Sequence, residues 1–217
     1  SQSPVANVVE SYEFTAGTPG NYTVTTANGQ LTMTNASKAI TITAASQAWT
    51  YDSNAHSNAT VTVTSGELLA GDELVATAIG SATNVSDTAT GNNPVAEGYK
   101  IMHGTEDVTD NYVITTKAGT LTINPKAVTV TAQDKAFTYT GVAQSWNKFD
   151  VNGLVGDDAI SAVVTGSITF PSQSPVTNEL TSYEFTTGTP GNYTVTTADG
   201  ELTMTNASKA ITITAAS

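Results

Sequence analysis

Two histidines, His56 and His103, are the only imidazoles in a chain of 217 residues that has no cysteine. A Ser-His-Asp relay or a histidine metal site would have to be built on these two, because such chemistry needs a base titrating near neutrality or a borderline-soft ligand. Both lie in residues 38–125, and the later positions that match them are Gln144 and Thr187. They are expected to be ordinary turn and strand-edge side chains. No catalytic residue, no resident metal and no cofactor is expected.

Other side chains carry weaker chemical signals. Glu106, Asp107 and Asp110 concentrate acidic oxygens of the kind that bind calcium, but they lack the ligand spacing and the glycine of an EF-hand, so a solvated loop is expected. Asp72 and Asp157 both follow glycine and precede apolar residues; each is expected to cap its own turn rather than to hold a cation. Trp146 has no aromatic counterpart in residues 38–125 and is the candidate for glycan stacking, whereas Trp49 matches Phe137 in an alternating segment and is expected in a core. Lys38, Lys126 and Lys209 raise the idea of Lys–Asn isopeptide bonds, but the nearest Asn lies at a junction rather than across a core. Asn-x-Ser/Thr sequons at Asn21, Asn35, Asn58, Asn84, Asn192 and Asn206 matter only where a host glycosylates them.

The elements that carry these residues read as strands. Ile40, Ile42 and Ala44 alternate with Thr41 and Thr43, and Val128-Thr129-Val130-Thr131 does the same, the period-two pattern of a half-buried strand. Ile42 and Val130 are expected to be buried. Asp199-Gly200 and Asn28-Gly29 sit between alternating runs and predict hairpins, because both residue types tolerate positive φ.

The strands belong to a repeat. Residues 1–46 and 172–217 differ at only seven positions, 6, 8, 9, 10, 16, 28 and 30. Within that period Lys38-Ala39-Ile40-Thr41-Ile42-Thr43-Ala44 recurs as Lys126–Ala132 and Lys209–Ala215, and Asn21-Tyr22, Asn111-Tyr112 and Asn192-Tyr193 open matching endings. The phasing is a C-terminal half of a B-type repeat at 1–37, module A at 38–125, module B at 126–208, and the first strand of a further A at 209–217. Such a period marks a quasi-linear array, and the short junctions at Asn124-Pro125 and Asn206-Ala207-Ser208 make it semi-rigid. The chain begins without Met and is expected to be an excerpt of a longer one.

Seven Lys, no Arg and nineteen acidic residues give a net charge of −12. That excludes a nucleic-acid partner, which needs clustered cations, and disfavours anionic lipid. No run of apolar residues approaches the length of a membrane span.

The Lys-Ala-(Ile/Val)-Thr-(Ile/Val)-Thr-Ala strand, Trp49-Thr50-Tyr51-Asp52-Ser53, Phe137-Thr138-Tyr139-Thr140-Gly141, the Gly71-Asp72 and Gly156-Asp157 turns and the Asn-Tyr…Gly-x-Leu-Thr ending resemble the MBG and YDG repeats of large bacterial surface adhesins. Ser53 stands where that pattern has glycine. The resemblance covers the whole chain and implies an extracellular, cell-surface structural array, a stalk or secreted filament, without catalytic residues. The expected fold is all-β, with tandem small β-sandwich modules of immunoglobulin-like or β-grasp-like topology; the latter would place a helical turn in 142–158. Expected partners are neighbouring repeats or identical chains. The alternative is a glycan- or host-protein-binding adhesion module acting through avidity. Ice binding through ranked Thr faces is disfavoured because loops interrupt those faces.

Overall fold

The computed structural model describes residues 4–34 and 37–215. The sequon at Asn35 and the extreme ends of the two terminal fragments lie outside the described residues.

Alternating Thr and aliphatic residues set the strands. In chain order they are β1 Val5–Asn7, β2 Gly29–Leu31, β3 Lys38–Ala44, β4 Gln47–Thr50, β5 Val61–Ser65, β6 Asp72–Val75, β7 Lys100–His103, β8 Glu106–Asp107 and β9 Tyr112–Lys117. There follow β10 Leu121–Asn124, β11 Lys126–Ala132, β12 Lys135–Thr138, β13 Phe149–Asn152, β14 Ala159–Thr165, β15 Val176–Thr187, β16 Tyr193–Ala198 and β17 Gly200–Thr205. Among the described residues, helix is confined to 3-10 turns of three residues. The protein is all-β. Segment 142–158 forms no helical turn: Phe149 and Val151 alternate with Asp150 and Asn152, so the stretch yields β13, with Val151 opposite Val130.

The chain divides into two compact units, residues 1–42, 63–75 and 100–115, and residues 43–62, 76–99 and 116–217. In the first, β6 and β7 run antiparallel with Asp72 opposite His103, and β7 continues to β8. Ile40, Ile42, Ile101 and Tyr112 are buried there. β1 pairs with β2, Val5 opposite Leu31. A three-stranded sheet has the order β5-β3-β9.

In the second unit β11 is central, antiparallel to β13 and parallel to β16. A second sheet has the order β12-β17-β15-β14. The expected hairpin at Asp199-Gly200 does not form: β16 pairs with β11, while β17 pairs with β12 and β15. The Asp-Gly step is a corner where the chain leaves one sheet for the other. The Leu180 N–H donates to Asp199 Oδ1 at 2.8 Å and holds that corner open. Tyr51, Leu121, Ile123, Val128, Val130, Ile160 and Tyr193 form the main core, and Ile168, Leu202 and Met204 a second cluster. Val130, like Ile42, is fully buried, as the alternation predicts.

The same local bonds recur at matching positions. Tyr51 N–H donates to Asn124 O and Tyr139 N–H to Thr205 O, both at 2.9 Å. Two buried asparagines repeat as well: Asn93 Nδ2 donates to Ala45 O and Asn58 O, and Asn178 Nδ2 to Gln133 O and Trp146 O. Residues 4–34 repeat part of the local structure of 175–205, without the length of β15 or a counterpart of β16. β1 and β2 keep the register of β15 and β17, where Val176 faces Leu202 and Asn178 faces Gly200. The Val9 N–H donates to Asn28 Oδ1 as Leu180 does to Asp199, and Phe14 lies 5.4 Å from Tyr22 as Phe185 does from Tyr193. Burial differs: Leu31 is 58% exposed where Leu202 is fully buried.

Candidate functional site

The most elaborate polar arrangement of the second unit gathers around the 3-10 turn Val85–Asp87. Asp87 Oδ2 accepts the N–H groups of Thr83 and Asn84, each at 2.8 Å, which satisfies donors that a turn start leaves open. Those N–H groups hold the Asp87 carboxyl below its ordinary value. Beyond the turn, side chains stand in for strand pairing along β10. The Ile123 N–H donates to Thr88 Oγ1 at 2.9 Å, the Leu121 N–H donates to Asn92 Oδ1 at 2.7 Å, and Asn92 Nδ2 returns a bond to Leu121 O at 2.9 Å.

This strap places Asn84 and Val85 against Asn192. The Asn192 carboxamide is buried; its Nδ2 donates to Asn84 Oδ1 at 2.8 Å and its Oδ1 accepts the Val85 N–H at 2.9 Å. Beside it the rings of Tyr51 and Tyr193 meet edge to face at 5.3 Å. The arrangement joins sequence regions about a hundred residues apart through a satisfied polar clasp on an aromatic contact, a combination that fixes relative placement rather than performing chemistry.

Tyr193 also closes a loop on its other side. Its Oη donates to Asp158 Oδ2 and accepts the Val155 N–H at 3.2 Å. Tyr112 does the same in the first unit, donating to Asp72 Oδ2 and accepting the Leu69 N–H at 2.9 Å. Burial first, and then the facing carboxylate, push both phenols above their ordinary value. Sequence matching slid by one residue here: the counterpart of Asp72 is Asp158, not Asp157. Nor does the Asp72 side chain cap its own turn. The Asp72 backbone N–H closes that turn on Leu69 O, which frees the carboxylate for Tyr112 and His103.

Each histidine is engaged by a nearby aspartate. His103 Nδ1 lies 2.7 Å from Asp72 Oδ1, with the ring against Gly71. His56 Nε2 lies 2.9 Å from Asp52 Oδ1 and its ring stacks on Trp49 at 4.8 Å, itself packed on the core. The Asn54 backbone N–H, then His56, draw Asp52 down to about 2. Asp107 also falls to about 2, through the Thr109 hydroxyl first and Lys100 next, whose Nζ lies 2.9 Å away. Glu106 and Asp107 form the short strand β8, and Asp110 lies in the 3-10 turn that follows. Among the described residues no group of three or more His, Cys, Asp or Glu is placed to hold a metal ion.

Trp146 is half-buried on the Ile168-Leu202-Met204 cluster; its Nε1 donates to Gln133 Oε1 at 3.1 Å, and Lys135 Nζ sits 4.4 Å from the ring centroid. That cation occupies one of the faces a sugar would stack on. Lys38 forms a surface ion pair with Glu67 at 3.0 Å. The Asn192 clasp was foreshadowed only by the Asn-Tyr motif, and nothing in the sequence marks Asn84 as its partner.

No helix among the described residues is long and apolar enough to cross a membrane. The chain matches no protein-family model, no curated protein and no solved structure.

Proposed function

We propose that the chain is a non-catalytic structural segment, a stalk or extracellular filament, of a tandem-repeat bacterial surface adhesin-like protein. Its modules are residues 38–125 and 126–208, each a small β-sandwich in which the chain changes sheet at the corner near its end, flanked by half of a B-type repeat and the first strand of another A. The observation that carries this is the conformation of residues 4–34. They hold the strand register, turn and ring contact of 175–205, so the repeat in sequence is also a repeat of local structure, as the modules of an array require. The Asn192 clasp supports the same conclusion, since a spacer works by resisting bending at its joints. The acidic surface suits a protein packed densely outside the cell. Electron micrographs and small-angle scattering of several 171-residue periods joined in one chain test the proposal. A rod whose length grows in proportion to the number of periods is expected; a compact particle, or glycan binding by the chain itself, would move the function elsewhere.

A further inference from the structure

The turn that carries the Asn192 clasp has a twin at residues 168–174. Thr83 and Asn84 donate their N–H groups to Asp87 Oδ2, and Thr169 and Phe170 donate theirs to Gln173 Oε1, all four at 2.8 Å. The Thr88 N–H closes the first turn on Val85 O and the Ser174 N–H closes the second on Pro171 O, both at 3.1 Å. Ahead of each turn a two-way backbone bridge joins His56 to Ala82 and Gln144 to Ile168. Behind it, the Ile123 N–H donates to Thr88 Oγ1 and the Met204 N–H to Ser174 Oγ. Asn84 therefore matches Phe170 and Val85 matches Pro171, with Asn84 at φ −107° and ψ 160° where Phe170 has φ −126° and ψ 144°.

These two positions hold the groups that grip Asn192. Asn84 Oδ1 accepts from Asn192 Nδ2, and the Val85 N–H donates to Asn192 Oδ1. At the twin turn a phenyl ring offers no acceptor and proline has no N–H to give. The backbone path is kept while both clasping groups are removed. In the array an A-type module follows a B-type one and carries Asn111-Tyr112, the same pair as Asn192-Tyr193. Docked on Phe170 and Pro171 as Asn192 is docked on Asn84 and Val85, that carboxamide would be buried without either bond, which disfavours the closed joint by about 5- to 150-fold for each unpaired group.

We propose that the joints of the array alternate. The turn Val85–Asp87 locks the Asn-Tyr pair that follows it, and the turn Pro171–Gln173 leaves the next pair free to swing, so the rod bends once per 171-residue period, beside Phe170. The inference rests on the array reading and says where the array yields. Stiffness then comes from one joint and compliance from the next, and the choice lies in two side chains of the receiving turn rather than in the asparagine it receives.

The test is the distance distribution between paired spin labels, placed on a chain that has no cysteine. Ala55 and Asn147 are exposed positions of modules A and B. Ala55→Cys with Asn147→Cys in the 217-residue chain reads the clasped joint; Asn147→Cys in one period with Ala55→Cys in the next, in two joined periods, reads the other. A narrow distribution is expected at the first joint and a broad one at the second. Asn84→Phe with Val85→Pro, residues the twin turn already accommodates, is expected to raise the open population of the first joint about 5- to 150-fold without changing the circular dichroism. In that background Asn192→Ala no longer lowers the urea midpoint, an outcome that loss of packing alone would not give. Phe170→Asn with Pro171→Val is expected to narrow the second joint to the width of the first. Rods whose two joints are equally narrow or equally broad overturn the inference and leave the array standing, as does a second joint indifferent to Phe170→Asn with Pro171→Val. Compact joined periods defeat the array reading and this inference with it.

Discussion

Asn192 Oδ1 accepts the backbone N–H of Val85 at 2.9 Å across a separation of 107 residues, with the carboxamide out of contact with water. Asn192→Ala leaves that N–H without its acceptor, and an unsatisfied buried donor costs about 1–3 kcal/mol. The urea midpoint is therefore expected to fall. Asn192→Asp is expected to cost more, because a carboxylate would face Asn84 Oδ1 with no proton to donate. An unchanged midpoint in Asn192→Ala would show that the clasp adds nothing to stability.

Tyr193→Phe removes the hydroxyl that ties Asp158 to the Val155 N–H and is expected to cost about 1–3 kcal/mol by the same reasoning. It also carries a pH signature. The native phenol holds its proton above the ordinary Tyr value of about 10, where the unfolded chain has released it. Its contribution is thus complete below pH about 10 and declines as pH rises beyond that. Urea midpoints at pH 9 and 11 should differ more in the parent protein than in Tyr193→Phe; equal differences would remove the phenol from the account.

The repeat made the strand positions legible, because Lys-Ala-x-Thr-x-Thr-Ala carries its burial pattern in its own alternation and both Ile42 and Val130 obey it. The pairing of those strands was not legible. Asp199-Gly200 has the composition of a hairpin turn, but the turn signal is local while the choice of partner is set by β11 and β15, strands distant in sequence. The same limit hid the side-chain network. The Gly-Asp pair in the sequence points to Asp157, whereas the tyrosine hydroxyl follows the turn's backbone, which begins at Val155, and so meets Asp158.

Val130→Ala and Ile213→Ala separate core from surface within one sequence motif. Val130 is fully buried beside Val128 and Tyr193, so truncation is expected to cost about 1–3 kcal/mol. Ile213 is exposed in the single chain, and its truncation is expected to leave the urea midpoint of dilute protein within about 0.5 kcal/mol. Equal losses in the two variants would mean that residues 209–215 are packed in solution.

Acid weakens the fold through Asp52 and Asp107. Both carboxyls are drawn down to about 2, below the unfolded value of about 3.9, so their contributions are present above pH about 4 and are lost as pH falls toward 2. Both are solvent-exposed, so the effect is modest and shrinks with salt. Melting temperature should fall less between pH 5 and 2.5 in Asp107→Asn than in the parent protein. Parallel curves would assign the acid response to other groups.

Gly153 follows β13 at φ +105°, in the left-handed region that side chains resist, and a Cβ there would lie 2.4 Å from Ala127 O. Gly66 repeats the arrangement after β5, with φ +73° and a Cβ 2.4 Å from Ala39 O, so both turns press their backbone onto the second residue of a Lys-Ala strand. Gly141 has a similar φ of +91° and nothing within 4 Å of its would-be Cβ. Gly141→Ala therefore meets backbone strain alone, of the order of 1–3 kcal/mol. Gly153→Ala meets that strain and a collision with main chain that no rotamer change relieves. Urea midpoints are expected to fall in the order parent, Gly141→Ala, Gly153→Ala. Equal losses at 141 and 153 would mean that the turn after β13 stands off from Ala127 and that glycine is needed there for its φ alone.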